Sequence, residues 1–336
     1  MAEWLYEEGI GENRAALVEG GQILEAAIEL PGETRLGTIL PARMVRILGN
    51  GKRGLVRLES GEEAMIEPVP ASLTEGAALT AEIVREAIPE AGRPKLPKVV
   101  ASDQPPRSGP TLSERIGSFV RMPPVGPDRL EEAGWSELLE EARTGEIGFS
   151  GGALRMSLTP AMTLFDVDGD LAAPALAVAG AAAAARAIRR FGLGGSIGID
   201  LPTLPDRAAR QAAAAAVDEC LPQPFERTAV NGFGFLQIVR RRDRPSIPET
   251  LREDPAGAAA RALLRRAERS PGHGPATIEA APMVVERLER EPAWLEKLRQ
   301  RLGAEVALQA KPGLAISAGH VHRQNLSLIH ISSPRD

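Results

Sequence analysis

The first hundred residues break into short apolar runs separated by turn residues. Arg14–Glu19 and Ile23–Glu29 flank Gly20–Gly21, a spacing that predicts a β-hairpin. Further strand-length runs cover Thr38–Ile47, Gly54–Leu58, Glu63–Glu67 and Thr80–Glu86, with turn residues at Gly49–Gly51, Ser60–Gly61 and Glu75–Gly76. Short strands at that rhythm predict a small barrel, for which an OB-type barrel is the natural candidate. From Pro89 to Pro127 prolines are dense and apolar runs are few, apart from Ser113–Arg121. This stretch reads as a linker or a loosely built excursion.

Helical spacing then takes over. Asp128–Thr144 places its leucines and Trp135 on one helical face, and strand-like Ala153–Leu158 and Met162–Val167 follow. An alanine-rich helix over Ala173–Arg190, a buried strand over Ser196–Leu201, a helix over Asp206–Cys220 and a strand pair over Arg227–Val239 come next. That β-α-β-α-β order predicts an α/β core. Pro245–Gly257 reads as a second linker, and beyond it lie helices over Ala258–Arg269, Pro282–Glu289 and Glu291–Leu302 and short strands over Glu305–Leu308 and Leu314–Ser317. Leu326–Asp336 contains no Ala or Gly and is mostly Ser, Ile and Leu, so it is expected to be foreign to the fold. The expected organisation is an N-terminal hairpin (1–36), a barrel (37–98), a Pro-rich linker (99–127), an α/β core (128–245), a linker (246–257), a small α+β domain (258–325) and the tail (326–336).

Composition narrows the field only a little. With 43% hydrophobic and 25% charged residues over 336 positions, the chain is ordinary for a soluble globular protein with a sizeable core. A net charge of -5 does not advertise a nucleic-acid binder, although RNA needs only a local basic face. Cys220 is the one cysteine, which excludes an internal disulfide and any multi-cysteine zinc site. Met1–Glu12 carries Glu3, Glu7 and Glu8 rather than a basic region followed by an apolar run. Leu171–Arg186 is too short and too weakly apolar for a bilayer span. The expectation is a cytoplasmic protein with no membrane partner and no zinc.

The strongest chemical feature is Met162–Asp170, where an apolar strand runs into Asp166, Asp168 and Asp170 at alternate positions. An extended chain puts all three on one face. Carboxylates that close repel one another unless they are solvated or hold a cation. The glycine falls at loop position four and Ala177 at position twelve, which excludes an EF-hand. Asp200 ends a second apolar run, Ser196–Ile199. Two buried strands that each finish in aspartate present both carboxylates at one sheet edge, and hard oxygen ligands favour Mg²⁺, or Mn²⁺, over zinc. Acids at strand ends also serve as turn formers and helix caps, and Asp200 precedes Pro202 and a helix.

Arg43, Arg46, Lys52, Arg53, Arg57, Arg93, Lys95 and Lys98 make the barrel region locally basic and suit phosphate contacts. A solvated face interleaved with glutamates accounts for them equally well. Arg240–Arg241–Arg242 with Arg244 is the densest basic run and is the second candidate RNA grip. His320 and His322 alternate on a strand and could ligate a metal, although surface positions account for them better; His273 sits on a turn with no clear chemistry, and Cys220 reads as a buried helical position.

Several of these segments resemble the ribonuclease E/G family. Glu12–Gly20 looks like its opening strand, and Gly37–Lys98 is similar in placement to its inserted RNA-binding OB barrel. Gly151–Thr163 leads into Asp166–Val167–Asp168 as that family's strand leads into its aspartate–valine–asparagine motif. Leu193–Asp200 is similar to its second acid-bearing strand, and Asn231–Gln237 to the strand after it. The likeness covers most of 12–98 and 150–323. It implies a nuclease core of DNase-I-like or ribonuclease-H-like type that cuts single-stranded RNA with Mg²⁺ and leaves a 5′-phosphate. On that resemblance Asp166 and Asp200 hold the metal, while Asp168 replaces an asparagine that orients the aspartate or the attacked phosphate. Three further departures stand out. Only the Pro-rich Val99–Pro127 remains where the monophosphate sensor belongs, Leu55 and Met65 fall where the barrel's stacking aromatics belong, and the zinc-linking cysteines near Asp254 are absent.

The sequence therefore predicts an α/β fold, α+β overall, in which a nuclease core carries an inserted OB-type barrel and a small C-terminal α+β domain. Its expected activity is Mg²⁺-dependent cleavage of single-stranded RNA, with a homodimer as the assembly left open. A non-catalytic RNA-binding relative and an unrelated metal-dependent phosphoesterase are the alternatives.

Overall fold

A computed structural model describes residues 1–323 except Ala91 and Arg93. Arg93 and the expected tail therefore lie outside the described residues. Two compact units are present. Among the described residues the first comprises Met1–Tyr6, Arg14–Val120 and Arg129–Glu253, and the second Glu7–Asn13, Arg121–Asp128 and 254–323.

Strands β1 (Glu3–Glu8), β2 (Asn13–Glu19) and β3 (Gln22–Glu29) open the chain, and β2–β3 is the expected hairpin. A closed five-stranded barrel follows, built from β4 (Ile39–Leu48), β5 (Arg53–Leu58), β6 (Glu63–Ile66), β7 (Ala78–Arg85) and β8 (Lys98–Ala101). Around the barrel the order is β4-β5-β6-β8-β7, with β6 and β8 parallel. Alternate residues point inward, so Met44, Val56, Leu58, Ile66, Ile83 and Val99 fill the interior.

The expected linker after the barrel is structured. Lys98–Ala101 closes the barrel, and Arg107 exchanges two 2.9 Å backbone hydrogen bonds with Ile39. Helix α1 (Leu112–Ile116) is started by a Thr111–Glu114 capping box. Strand β9 (Val120–Arg121) then completes a sheet of order β3-β2-β1-β9. The partners that order these residues are distant in sequence, so no local periodicity reports them.

After α2 (Arg129–Glu132) and α3 (Trp135–Thr144) comes the α/β core. Its strands are β10 (Glu146–Phe149), β11 (Gly152–Leu158), β12 (Thr163–Gly169), β13 (Gly195–Asp200), β14 (Glu226–Arg227) and β15 (Phe235–Arg240), in the order β10-β11-β12-β13-β15-β14. Only β12 and β13 run parallel, because α4 (Ala173–Arg190) carries the chain back between them; α5 (Arg207–Cys220) packs beside α4. Leu154, Phe165, Val167, Ile197, Ile199, Leu236 and Ile238 are buried, and α4 packs against β10, β11 and β12. Each such side chain contributes roughly 1.5–3 kcal/mol on burial. On the alternate positions Arg155, Asp166, Asp168 and Asp200 are exposed, while Leu164 and Phe235 are half-buried and Gly198 is buried. Where the second linker was expected, Ile247, Pro248 and Leu251 are buried in helix α6 (Ile247–Glu253).

The second unit contains α7 (Pro255–Glu268), β16 (Ala276–Ala280), α8 (Pro282–Glu289), α9 (Pro292–Leu302), β17 (Val306–Ala310) and β18 (His320–Arg323). Its sheet has the order β17-β16-β18, and Leu314–Ser317, expected as a strand, is irregular. Buried Glu12 accepts hydrogen bonds from buried Arg261, at 2.8 Å, and from Arg265. Removing Glu12 would take from two buried arginines their shared carboxylate, a loss of about 3–5 kcal/mol. Among the described residues no helix is long and apolar enough to cross a membrane.

Candidate functional site

Asp166 and Asp200 are register partners on the adjacent parallel strands β12 and β13. Both are exposed, and both lie on the sheet face not packed against α4. Neighbouring strands are about 4.8 Å apart, so the two carboxylates spring from adjacent points on one face. Asp168 is exposed two residues further along that face, beyond the end of β13, and pairs in register with Ala153. Asp170 lies past the end of β12, where its backbone N–H donates to the Gly151 carbonyl at 3.3 Å, so it leaves the alternating row.

The acid pair is part of a row that crosses five strands. Glu146 pairs with Arg155, Arg155 with Asp166, Asp166 with Asp200, and Asp200 with Phe235. Arg155 Nε donates to Glu146 Oε1 at 3.1 Å. That hydrogen bond and the Glu146 charge raise the Arg155 pKa above its ordinary value, and Asp166 and Asp168 add to the rise. A cation thus stands on one flank of the acids and an aromatic ring on the other. Composition gave no sign of either neighbour, since each depends on strand register.

Two glycines shape the aromatic flank. A Cβ on Gly198 would lie 2.5 Å from the Phe235 ring, so glycine leaves the space over β13 that the ring takes. Gly234 has φ +93°, and a Cβ there would lie 2.2 Å from the Leu201 carbonyl oxygen. The turn before β15 therefore abuts the residue that follows Asp200.

The predicted RNA-binding residues fall into two groups. On the barrel exterior, Arg46, Leu55, Met65 and Lys98 are successive register partners across β4, β5, β6 and β8. Arg43 donates to the Gly76 carbonyl at 2.7 Å, and Lys52 is exposed in the turn before β5. Arg53 and Lys98 both pair with Glu67, at 2.9 and 2.8 Å, and Lys95 pairs with Glu90 at 2.6 Å. The arginine run lies at the opposite sheet edge from Asp200, because Arg240 pairs with Gly195 at the start of β13. Arg240 donates to the Leu193 carbonyl at 3.2 Å, and burial lowers its pKa. Arg242 bridges Glu90, at 2.7 Å, and Glu249. Arg241 is the largely exposed member. A cavity of about 620 Å³ opens at this same far edge, lined by Arg85, Lys95, Met162, Gly195 and Arg242, and contains neither acid.

His320 and His322 are exposed on β18, and Cys220 is half-buried at the end of α5. Among the described residues, no group of three or more His, Cys, Asp or Glu side chains stands close enough to hold a metal ion. The donors at the acid pair are two hard carboxylates, both exposed to water. That set fits an ion such as Mg²⁺, which keeps most of its water and takes one or two protein carboxylates. No protein-family model matches the chain, and no curated protein matches it.

Proposed function

We propose that this protein is a Mg²⁺-dependent endonuclease acting on single-stranded RNA, the activity implied by its resemblance to the ribonuclease E/G family. The observation that carries the reading is the register pairing of Asp166 with Asp200 on an open sheet face. Supporting it, the barrel has the strand order of an OB fold, and cations Arg46 and Lys98 bracket Leu55 and Met65 on its exterior.

Asp166 and Asp200 would hold the ion. When bound, Mg²⁺ supplies Lewis-acid stabilisation of charge developing on a phosphodiester and raises the acidity of water. Arg155, next to Asp166 in the row, offers a guanidinium to a phosphate oxygen and helps to set the strand's position. Asp168 adds negative charge beside the pair, which draws cations to this edge and excludes a phosphate that arrives without one.

Cleavage of a fluorogenic single-stranded RNA, with Mg²⁺ and with chelator, tests the proposal. Mg²⁺-dependent products carrying a 5′-phosphate are expected. A second reading, a non-catalytic RNA binder, is favoured by Leu55 and Met65, which are register partners where a stacking pair of aromatics was expected. Salt-sensitive RNA binding without cleavage would establish that reading instead. Hydrolysis of a simple phosphate ester with no action on RNA would point to a phosphoesterase.

A further inference from the structure

Phe233 is 85% exposed, more than any other large apolar side chain among the described residues except that of Met1. Its backbone is pinned. Asn231 Oδ1 accepts from the Phe233 N–H at 2.9 Å and from the Phe235 N–H at 3.0 Å, and the Asn231 N–H donates to the Phe235 carbonyl at 3.0 Å. The Leu201 N–H donates to the Gly234 carbonyl at 3.2 Å, which ties the turn to the residue after Asp200. An exposed aromatic residue thus sits on a backbone-pinned turn, two positions before Phe235, the register partner of Asp200.

The chemistry of this edge selects the kind of ligand. A protein partner needs a broad apolar patch, whereas the exposed residues just before the ring in this turn are Asn231 and Gly232, and the register partner of nearby Phe235 is the exposed Asp200. An anionic membrane would be repelled by Asp166, Asp168 and Asp200. A nucleobase needs only one flat ring, and stacking tolerates any base identity because every base has a π-face. The strand that brings the base also brings a phosphate, which must approach the acids through a cation.

We propose that Phe233 stacks a nucleobase of single-stranded RNA next to the phosphate positioned at Asp166 and Asp200. The proposal rests on the reading of the acid pair as an RNA-cleaving site. It places a stacking aromatic on the catalytic sheet rather than on the barrel, where Leu55 and Met65 stand.

The test uses the full chain, a fluorescent single-stranded oligonucleotide followed by anisotropy, and the same strand carrying one abasic position at each nucleotide in turn. Phe233→Ala should weaken binding about tenfold, within the range seen for loss of one stacked base, and Phe233→Trp should restore it, with unchanged thermal melting. One abasic position should weaken wild-type binding and leave Phe233→Ala unaffected. In cleavage, KM should rise while kcat stays near the wild-type value, as expected for binding shared by ground and transition states. Equal affinity of wild type and Phe233→Ala in a chain that cleaves RNA overturns the stacking role and leaves the nuclease reading intact. A stacking signature without any cleavage overturns the nuclease reading and keeps the base site. A dimer that Phe233→Ala converts to monomer, or ring-dependent binding to anionic vesicles, overturns the proposal in favour of a protein or lipid contact.

Discussion

Arg155 stands directly across the antiparallel ladder from Asp166, so a guanidinium and a candidate metal ligand share one row of the open sheet face. The same arginine is hydrogen-bonded to Glu146 on the next strand, which fixes its direction. Arg155→Ala should lower kcat/KM for RNA cleavage about tenfold, and Arg155→Glu should lower it further. The melting temperature should hardly move, because exposed ion pairs contribute little to stability. Wild-type kinetics in both variants would remove Arg155 from the site.

The two basic groups make different predictions. Arg46 is exposed on the barrel beside Leu55, whereas Arg242 is engaged by Glu90 and Glu249. If Arg46 contacts phosphate, Arg46→Ala reduces the slope of log affinity against log salt by about 0.7, as for one contact on a single strand. Arg242→Ala should leave that slope unchanged and lower thermal stability, since it leaves two carboxylates without their shared partner. Salt titrations of both variants, with melting curves, check the pair. A slope change in Arg242→Ala alone would reverse the assignment.

Glu67 gives the barrel a pH signature. The Lys98 hydrogen bond, followed by that of Arg53, lowers its pKa from 4.5 to about 2. A carboxylate depressed on folding stabilises the folded state above its ordinary pKa, and that contribution fades as pH falls from 4.5 towards about 2. The melting difference between wild type and Glu67→Gln should therefore be constant above this window and close within it. The effect should be small, because Glu67, Lys98 and Arg53 are all partly solvated. A difference that stays constant down to pH 2 would contradict the pairing.

Much of this arrangement was legible in the sequence wherever a local pattern carried it. The β2–β3 hairpin, helices α4 and α5, and the apolar runs that end in Asp166 and Asp200 follow from turn residues, alanine-rich helical spacing and strand alternation. What stayed hidden was set by pairing between distant segments. Lys98–Ala101 reads as a linker until β6 and β7 take it as a partner, and Ile247–Glu253 is helical because three of its side chains are buried. Register likewise decides that Arg240–Arg242 stand at the sheet edge away from Asp200, and that Arg155 and Phe235 flank the acids. A charge run in a sequence carries no information about which edge of a sheet it will occupy.

On the proposed function, Asp166 and Asp200 act as one unit in cutting RNA. The Mg²⁺-dependent cleavage rates of Asp166→Asn, Asp200→Asn and the double variant, each confirmed folded by circular dichroism, decide whether they do. Each single change should reduce the rate by about 10²–10³-fold, the loss typical of a lost electrostatic stabiliser. The double variant should be no slower than the worse single, because residues that act together lose their function together. A single variant that cleaves at the wild-type rate, or a double variant whose loss is the product of the two single losses, would mean that the two aspartates do not form one site.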